Sequence, residues 1–132
     1  MNSPAYDIAA MLDGDSALGL TLATDLFIGE IPGTVSGRCV AVYDSGGEPA
    51  QSGYKYERPY VQVRVRGAKG GNQSAFSLAE SIATFLHDTA NYTINAARYV
   101  GIWKLDEPGF VGWDDNRRPL YTVNFRIHRT DA

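Results

Sequence analysis

The stretch Leu120-Tyr-Thr-Val-Asn-Phe-Arg-Ile-His-Arg129 decides the fold, because apolar and polar side chains alternate from Tyr121 to His128 without a break. Successive side chains of a strand point to opposite faces of its sheet. One face of this strand is therefore apolar and holds Tyr121, Val123, Phe125 and Ile127. The other face is polar and holds Thr122, Asn124, Arg126 and His128.

Residues 59–67 (Pro-Tyr-Val-Gln-Val-Arg-Val-Arg-Gly) repeat the pattern. The apolar side of this second strand holds Val61, Val63 and Val65, and its polar side holds Gln62, Arg64 and Arg66. Two strands of this kind predict a sheet that is packed on one face only. The other, basic face is expected to meet water or another molecule, and that choice is the functional question.

The composition is that of an ordinary globular protein, with 132 residues, of which 44% are hydrophobic. A chain of this length predicts one domain, residues 1–132, with a substantial core. The formal charge of −3 gives no overall attraction to nucleic acid or to an anionic membrane. No apolar run approaches a membrane span and the first residues do not resemble a signal peptide, so we expect folding in a cytoplasm without membrane attachment.

Periodicity predicts the order of the elements. Ser3 and Pro4 are typical of a helix start, and this short helix should end near residues 13–14. Strands are predicted at residues 25–31, 37–43 and 58–67, then a long amphipathic helix at 72–88, then strands at 97–105 and 120–129. The predicted fold is α+β, in the order α-β-β-β-α-β-β, with a mainly antiparallel sheet whose apolar face is covered by the long helix and the short N-terminal one.

Two predicted loops carry aromatic side chains. Residues 44–57 include Tyr54 and Tyr56, and residues 106–118 include Phe110 and Trp113. A monomer gains little from large apolar side chains in loops, whereas a protein that buries its loops against neighbours gains more. These aromatic residues are therefore predicted to contact a partner.

Residues that could carry chemistry are few, and we expect no catalytic, cofactor or metal site. His87 and His128 lack the spacing of a metal motif, and Cys39 is expected to be a buried, small apolar residue. Asp13 and Asp15 fit a helix end and turn better than a calcium loop. The glycine-rich residues 67–71 fit a turn from a strand into a helix better than a phosphate loop.

Charged residues near the C-terminus leave more than one interpretation open. Asp114 and Asp115 could hold a divalent ion as nuclease carboxylates do, but a turn salt-bridged to Arg117 and Arg118 is favoured. The basic face, with Arg64, Arg66, Arg126, His128 and Arg129, fits phosphate or an acidic protein surface, including a second copy of the chain. In base-stacking platforms, aromatic residues lie among the basic residues on one face of the strands. On the polar sides of these two strands, aromatic residues are not interleaved in this way.

The sequence resembles the tail terminator, or minor capsid, proteins of long-tailed bacteriophages. The resemblance covers roughly residues 3–129. It rests on the turn at residues 44–49 (Asp-Ser-Gly-Gly-Glu-Pro), the strand at residues 56–67, the amphipathic helix that follows, and residues 112–125 (Gly-Trp-Asp-Asp-Asn-Arg-Arg-Pro-Leu-Tyr-Thr-Val-Asn-Phe).

This resemblance implies a virion structural protein that assembles in the host cytoplasm and is not an enzyme. It implies a six-membered ring that caps the tail tube, stops its polymerisation and joins it to the head, with DNA passing through without specific binding. The expected partners are other copies of the chain, the tail tube protein and a head-tail connector or stopper protein. The expected contact residues are Tyr54, Tyr56, Arg64, Arg66, Phe110, Trp113, Asp114, Asp115, Arg117, Arg118 and Arg126.

Two alternatives remain open from the sequence. A head-side neck or head-completion protein would have the same composition but would bind the connector instead of the tube. A small metal-dependent nuclease or hydrolase would need Asp114 and Asp115 to be catalytic.

Overall fold

The computed structural model describes residues 1–50, 52–53 and 55–132. Two helices and one sheet of eight strands occur in these residues. The helices are α1 (Pro4–Asp13) and α2 (Asn72–His87). The strands are β1 (Leu26–Ile28), β2 (Cys39–Gly47), β3 (Tyr56–Glu57), β4 (Pro59–Arg66), β5 (Ala90–Ile94), β6 (Ala97–Lys104), β7 (Gly109–Trp113) and β8 (Pro119–Asp131). The predicted α+β class is confirmed, and neither helix is long and apolar enough to cross a membrane.

Strand β8 is the centre of the sheet. It is 13 residues long and pairs with four other strands, all antiparallel to it. Strands β4 and β3 lie along one edge of β8, and β7 and β6 lie along the other. The main path runs β1-β2-β4-β8-β6-β5, and only β1 and β2 pair in parallel. The predicted, mainly antiparallel sheet is thus confirmed.

The alternation of β8 predicts correctly which of its side chains are buried. Val123, Phe125 and Ile127 are fully buried, and Tyr121 is 7% exposed. Both helices pack on this side of the sheet and complete one hydrophobic core. Fully burying a side chain such as Phe125 contributes about 1.5–3 kcal/mol.

Both helices begin and end close to the predicted positions. The hydroxyl of Ser3 accepts a hydrogen bond from the backbone N–H of Tyr6, and Pro4 occupies the first turn of α1. Helix α2 buries a stripe of small and branched side chains: Ala75, Leu78, Ala79, Ile82, Ala83 and Leu86. The glycines before α2 form a strand-to-helix turn, as predicted, and the N–H of Gly71 closes it by donating to Ala68 O at 2.8 Å.

The predicted element order was incomplete, because three strands were missed. Strands β3 and β7 lie inside the two predicted loops, β5 precedes β6, and β2 runs on to Gly47 past its predicted end at residue 43. Phe110 and Trp113 therefore belong to a strand, and Tyr56 begins β3. Most side chains of β5, β7 and the end of β2 are exposed. Hydrogen bonds to a neighbouring strand form these segments, and such bonds require no apolar alternation.

A buried polar network connects α1 to the sheet. Asp7 is fully buried and accepts hydrogen bonds from Tyr99 Oη at 2.6 Å and Asn95 Nδ2 at 2.6 Å. The guanidinium of Arg129 lies 3.6 Å from Asp7 and 2.8 Å from Glu57, and it donates to Tyr99 Oη at 3.2 Å. Burial and the hydrogen bond to Asp7 raise the pKa of the Tyr99 hydroxyl, which therefore stays a donor.

We predict that Asp7→Ala lowers the free energy of unfolding by about 3 kcal/mol or more, because it leaves the buried donors of Tyr99 and Asn95 without their acceptor and removes one of the two carboxylates paired with Arg129. Chemical denaturation of the full chain measures this. Glu80→Ala removes an exposed carboxylate instead and should cost no more than about 0.5 kcal/mol. A loss below about 1 kcal/mol in the Asp7 variant would show that the network does not stabilise the fold.

Candidate functional site

The predicted contact residues fall mainly on two surfaces of the molecule. The first, the β7 surface, comprises Phe110, Val111 and Trp113 with the turn at residues 114–118. The second, the open sheet face, is the side of the sheet away from the helices, and it comprises Tyr43, Arg64, Trp103, Arg126 and His128. Tyr54 lies outside the described residues.

The β7 surface presents apolar side chains to solvent. Phe110, Val111 and Trp113 are 50%, 60% and 47% exposed. The ring of Phe110 nevertheless packs against two other rings. Its centroid lies 5.8 Å from that of Trp113 and 5.5 Å from that of the buried Tyr121. Among the described strands, β7 pairs only with β8, so its outer edge has no strand neighbour there. The β7 surface is therefore an apolar strand that is both exposed and held in place.

The turn that follows β7 is fixed by Asp114. Its carboxylate accepts hydrogen bonds from the backbone N–H groups of Asn116 and Arg118, each at 2.9 Å, and from Arg118 Nε at 2.7 Å. Desolvation raises the pKa of Asp114, but the bonds from Arg118 and Asn116 outweigh it and the net pKa is lowered. Arg117 completes the turn with a left-handed φ of 61°. The Asp114 carboxylate thus holds a hairpin.

No group of three or more His, Cys, Asp or Glu side chains in the described part of the chain is arranged to hold a metal ion. Asp13 and Asp15 accept hydrogen bonds from the backbone N–H groups of Leu22 and Ala17, so they stabilise turns. Cys39 is buried; burial raises the pKa of its thiol, and the nearby Arg66 lowers it less. These groups therefore have structural explanations.

The open sheet face carries two arginines that stack on aromatic rings. The guanidinium carbon of Arg64 lies 4.5 Å from the centroid of Tyr43, and that of Arg126 lies 5.3 Å from Trp103. Aromatic side chains from neighbouring strands thus stand beside the basic residues, although none alternates with them on β4 or β8 itself. Stacking holds each guanidinium in place before a partner arrives.

Hydrogen bonds connect the polar side chains of this face into a row across the strands. Arg64 Nε donates to Gln62 Oε1 at 2.8 Å, and Gln62 Nε2 donates to Asn124 Oδ1 at 3.1 Å. Asn124 Nδ2 in turn donates to Asp106 Oδ2 at 2.9 Å. The row makes the open sheet face a preformed surface.

Positive charge is in excess on this face. The carboxylate of Glu48 lies 3.1 Å from Arg58 and 3.8 Å from Arg126, so two guanidinium groups share one carboxylate. Arg64 forms no ion pair within 4 Å with any described residue. Arg58, Arg64 and Arg126 therefore exceed the carboxylates of Glu48 and Asp106 by about one positive charge.

Two arginines predicted for the basic face are buried. Arg66 is 5% exposed and donates through its guanidinium to the carbonyls of Val35 and Gly37, so it binds the loop at residues 29–38 to the sheet. Arg129 is 6% exposed because the alternation of β8 directs it to the core side, where it joins Asp7. Arg118 also donates to Val35 O, at 3.0 Å. The open sheet face is smaller than predicted for this reason.

A groove on the opposite side of the molecule was not predicted. It has a volume of about 650 Å³ and lies between α2, the loop before β1 and the loop between β6 and β7. Asp15, Glu80 and Glu107 line it together with the half-buried rings of Phe76 and Phe85. Lys104 also lines the groove and is paired with Glu107 at 2.8 Å. We call this region the helix groove.

Known proteins resemble this chain in sequence and in structure. A sequence model of the family described as "Bacteriophage tail terminator protein" matches residues 15–131. A chain from the virion of a native gene transfer agent particle is similar in structure, with a TM-score of 0.75 and 17% identity, and the match covers 98% of this chain and 96% of that chain. A second solved chain has a TM-score of 0.51 and 18% identity, covering 98% and 97%. These structural likenesses show the fold, and the comparison with curated proteins found no match.

His128 leads to a prediction about pH. The centroid of its ring lies 4.7 Å from the ring centroid of Trp103, and its Nδ1 lies 2.9 Å from the hydroxyl of Tyr56. Desolvation, and then the charge of Arg126, lower the pKa of His128 below its ordinary 6.5, while Glu48 opposes the shift. The unfolded chain therefore binds a proton more readily than the folded one below about pH 6.5.

The stability that neutral His128 contributes is accordingly present above about pH 6.5 and is lost as the pH falls toward the lowered folded pKa. We predict that the free energy of unfolding falls less between pH 7.5 and pH 5.5 in His128→Gln than in the unchanged chain. Denaturant titrations at both pH values measure the two falls. An equal or larger fall in the variant would contradict the assigned pKa shift.

Proposed function

Because this chain belongs to the bacteriophage tail terminator family, we propose that it caps the growing end of a tail tube as a ring, stops tube polymerisation and presents the surface to which the head joins. Membership of the family makes it a phage structural protein and a virion component. The capping role, the ring and its partners are the proposal. Residues 1–14 lie outside the matched region, and they include all of α1.

The main support for the proposal is the exposed apolar strand of the β7 surface. Soluble monomers rarely expose neighbouring large apolar side chains, and such patches mark interaction sites. Here the backbone of β7 is paired with β8, the turn is held by Asp114, and the ring of Phe110 rests on Tyr121. A surface that is already ordered loses little conformational entropy when a partner covers it.

Capping by such a protein needs no chemical reaction. The chain would occupy the tube end through the β7 surface and would offer no second surface of the tube subunit's kind, so that no further subunit could add. A closed ring joins one surface of each copy to a different surface of the next. Six copies are expected from the family resemblance. The net charge of −3 would limit retention of DNA that passes through the ring.

A head-side neck protein with the same fold would use the β7 surface on a connector protein instead. Binding assays with purified tube protein and with purified connector protein, run in parallel, distinguish the two roles. Preferred binding to the connector, with no effect on tube length, would replace the proposed capping role with the neck role.

The test adds the purified chain to polymerising tube protein and measures tube lengths by electron microscopy. We expect short, capped tubes with the unchanged chain. The double variant Phe110→Ser with Trp113→Ser should bind tube ends at least about 30-fold more weakly, since truncating a central aromatic contact typically costs about 2 kcal/mol or more.

Tyr92→Ser is the matched control, because Tyr92 is a similarly exposed aromatic residue, at 42%, on the distant strand β5. This control should cap tubes normally. Equal capping by the double variant would show that the β7 surface is not the tube contact. Unlimited tube growth with the unchanged chain would reject capping itself.

A further inference from the structure

The cationic side chains of this chain are confined to its strands and loops. Neither helix contains a lysine or an arginine, so all 12 of these residues lie in strands and loops. The outer surface of α2 has exposed small hydroxyl side chains, among them Ser77, Ser81 and Thr84, beside the exposed carboxylate of Glu80. The helix layer therefore presents a carboxylate and small side chains, with Arg38, from the loop before β2, beside Ser77 and Ser81.

The helix groove concentrates this negative charge. Its three carboxylates face one ammonium group, that of Lys104, which is already paired with Glu107. Asp15 and Glu80 form no ion pair with any described residue. The rings of Phe76 and Phe85 supply apolar contact area in the same groove. Such a groove is suited to bind a cationic side chain that is stacked on an aromatic ring.

The open sheet face has the complementary properties. Arg58 and Arg126 share the carboxylate of Glu48, Arg64 has no ion-pair partner among the described residues, and Arg64 and Arg126 are each stacked on an aromatic ring. The positive excess of this face is therefore opposite in sign to the negative excess of the helix groove, where three carboxylates outnumber one ammonium group. The two surfaces lie on opposite sides of one sheet, so a copy cannot join them within itself.

We propose that the open sheet face of one copy docks on the helix layer of the next copy, with Arg64 and Arg126 directed at Asp15 and Glu80 of the helix groove. This inference rests on the proposed function, because it supplies the two unlike surfaces that a ring requires. It also leaves the β7 surface free for the tube. Pairs of opposite charge across an interface select the partner and its orientation more than they add raw affinity.

A second copy accounts for these surfaces better than nucleic acid does. Phosphates would satisfy the arginines of the open sheet face but would be repelled by the carboxylates of the helix groove, which would stay unexplained. A copy of the chain satisfies both surfaces at once. The chain as a whole is also acidic.

Two neutralised variants of the full chain test the contact. The sheet variant carries Arg64→Gln and Arg126→Gln, and the helix variant carries Asp15→Asn and Glu80→Gln. A control variant carries Lys55→Gln and Lys69→Gln, which neutralise two exposed cations in loops outside both surfaces. Self-association is measured by sedimentation and by concentration-dependent NMR shifts up to millimolar protein. Circular dichroism confirms that every variant is folded.

We expect each neutralised variant alone to self-associate at least tenfold more weakly than the unchanged chain, and the control to match it. Mixed in equal amounts, the two variants should form one-to-one dimers and nothing larger, because each retains one competent surface. NMR shifts of the unchanged chain should map to the open sheet face and the helix layer.

Shifts confined to other surfaces, no self-association at millimolar concentration, or a mixture that stays monomeric would overturn the inference. So would binding of a DNA oligonucleotide that only the sheet variant loses while its self-association is unchanged. Tube capping by the unchanged chain is scored separately. Capping that survives in both variants rejects this contact alone, whereas failure of the unchanged chain to cap rejects the proposed function and leaves the self-association result standing.

Discussion

The structure depends on one strand, β8, which has the apolar core on one face and a polar surface on the other along its length. Strand β8 sends Val123, Phe125 and Ile127 into the core while Asn124 and Arg126 face the other way, and its two backbone edges are shared among four neighbours. A slip of one residue would exchange the two faces. Its register therefore determines where the helices pack, which arginines stay accessible, and where β7 pairs with β8.

The sequence was sufficient for the elements that alternate strongly and insufficient for those held by their neighbours. Strands β4 and β8 and helix α2 carry their own periodic apolar pattern, so both their type and their buried face were predictable. Strand β7 carries no such pattern, and it forms because its backbone pairs with residues 119–122 of β8. Nothing in residues 109–113 alone indicates this partner, so their aromatic side chains were assigned to a loop, although their exposure was anticipated.

The arginines show why the candidate surfaces were only partly predictable. Arg126 and Arg129 are three positions apart on one strand, so strict alternation directs them to opposite faces. Extending the alternation by one residue would have placed Arg129 in the core and required a buried carboxylate, which Asp7 supplies. Arg66 was different, because its position on β4 does direct it to the outer face, and only the fold brings the carbonyls of residues 35 and 37 over it. The helix groove likewise combines segments distant in the chain.

A protein that works by assembly must keep its surfaces unlike one another as well as complementary. In the proposed ring, like charges on the helix layer and the open sheet face would make neighbouring copies repel each other. If both were apolar, the chain would aggregate without defined geometry. The cluster of exposed apolar side chains on β7 is distinct from the basic open sheet face and from the acidic helix groove, so each surface suits a different class of partner. A lysine or arginine beside Glu80 would weaken the contrast between the helix groove and the open sheet face on which the proposed contact depends, and neither helix contains one.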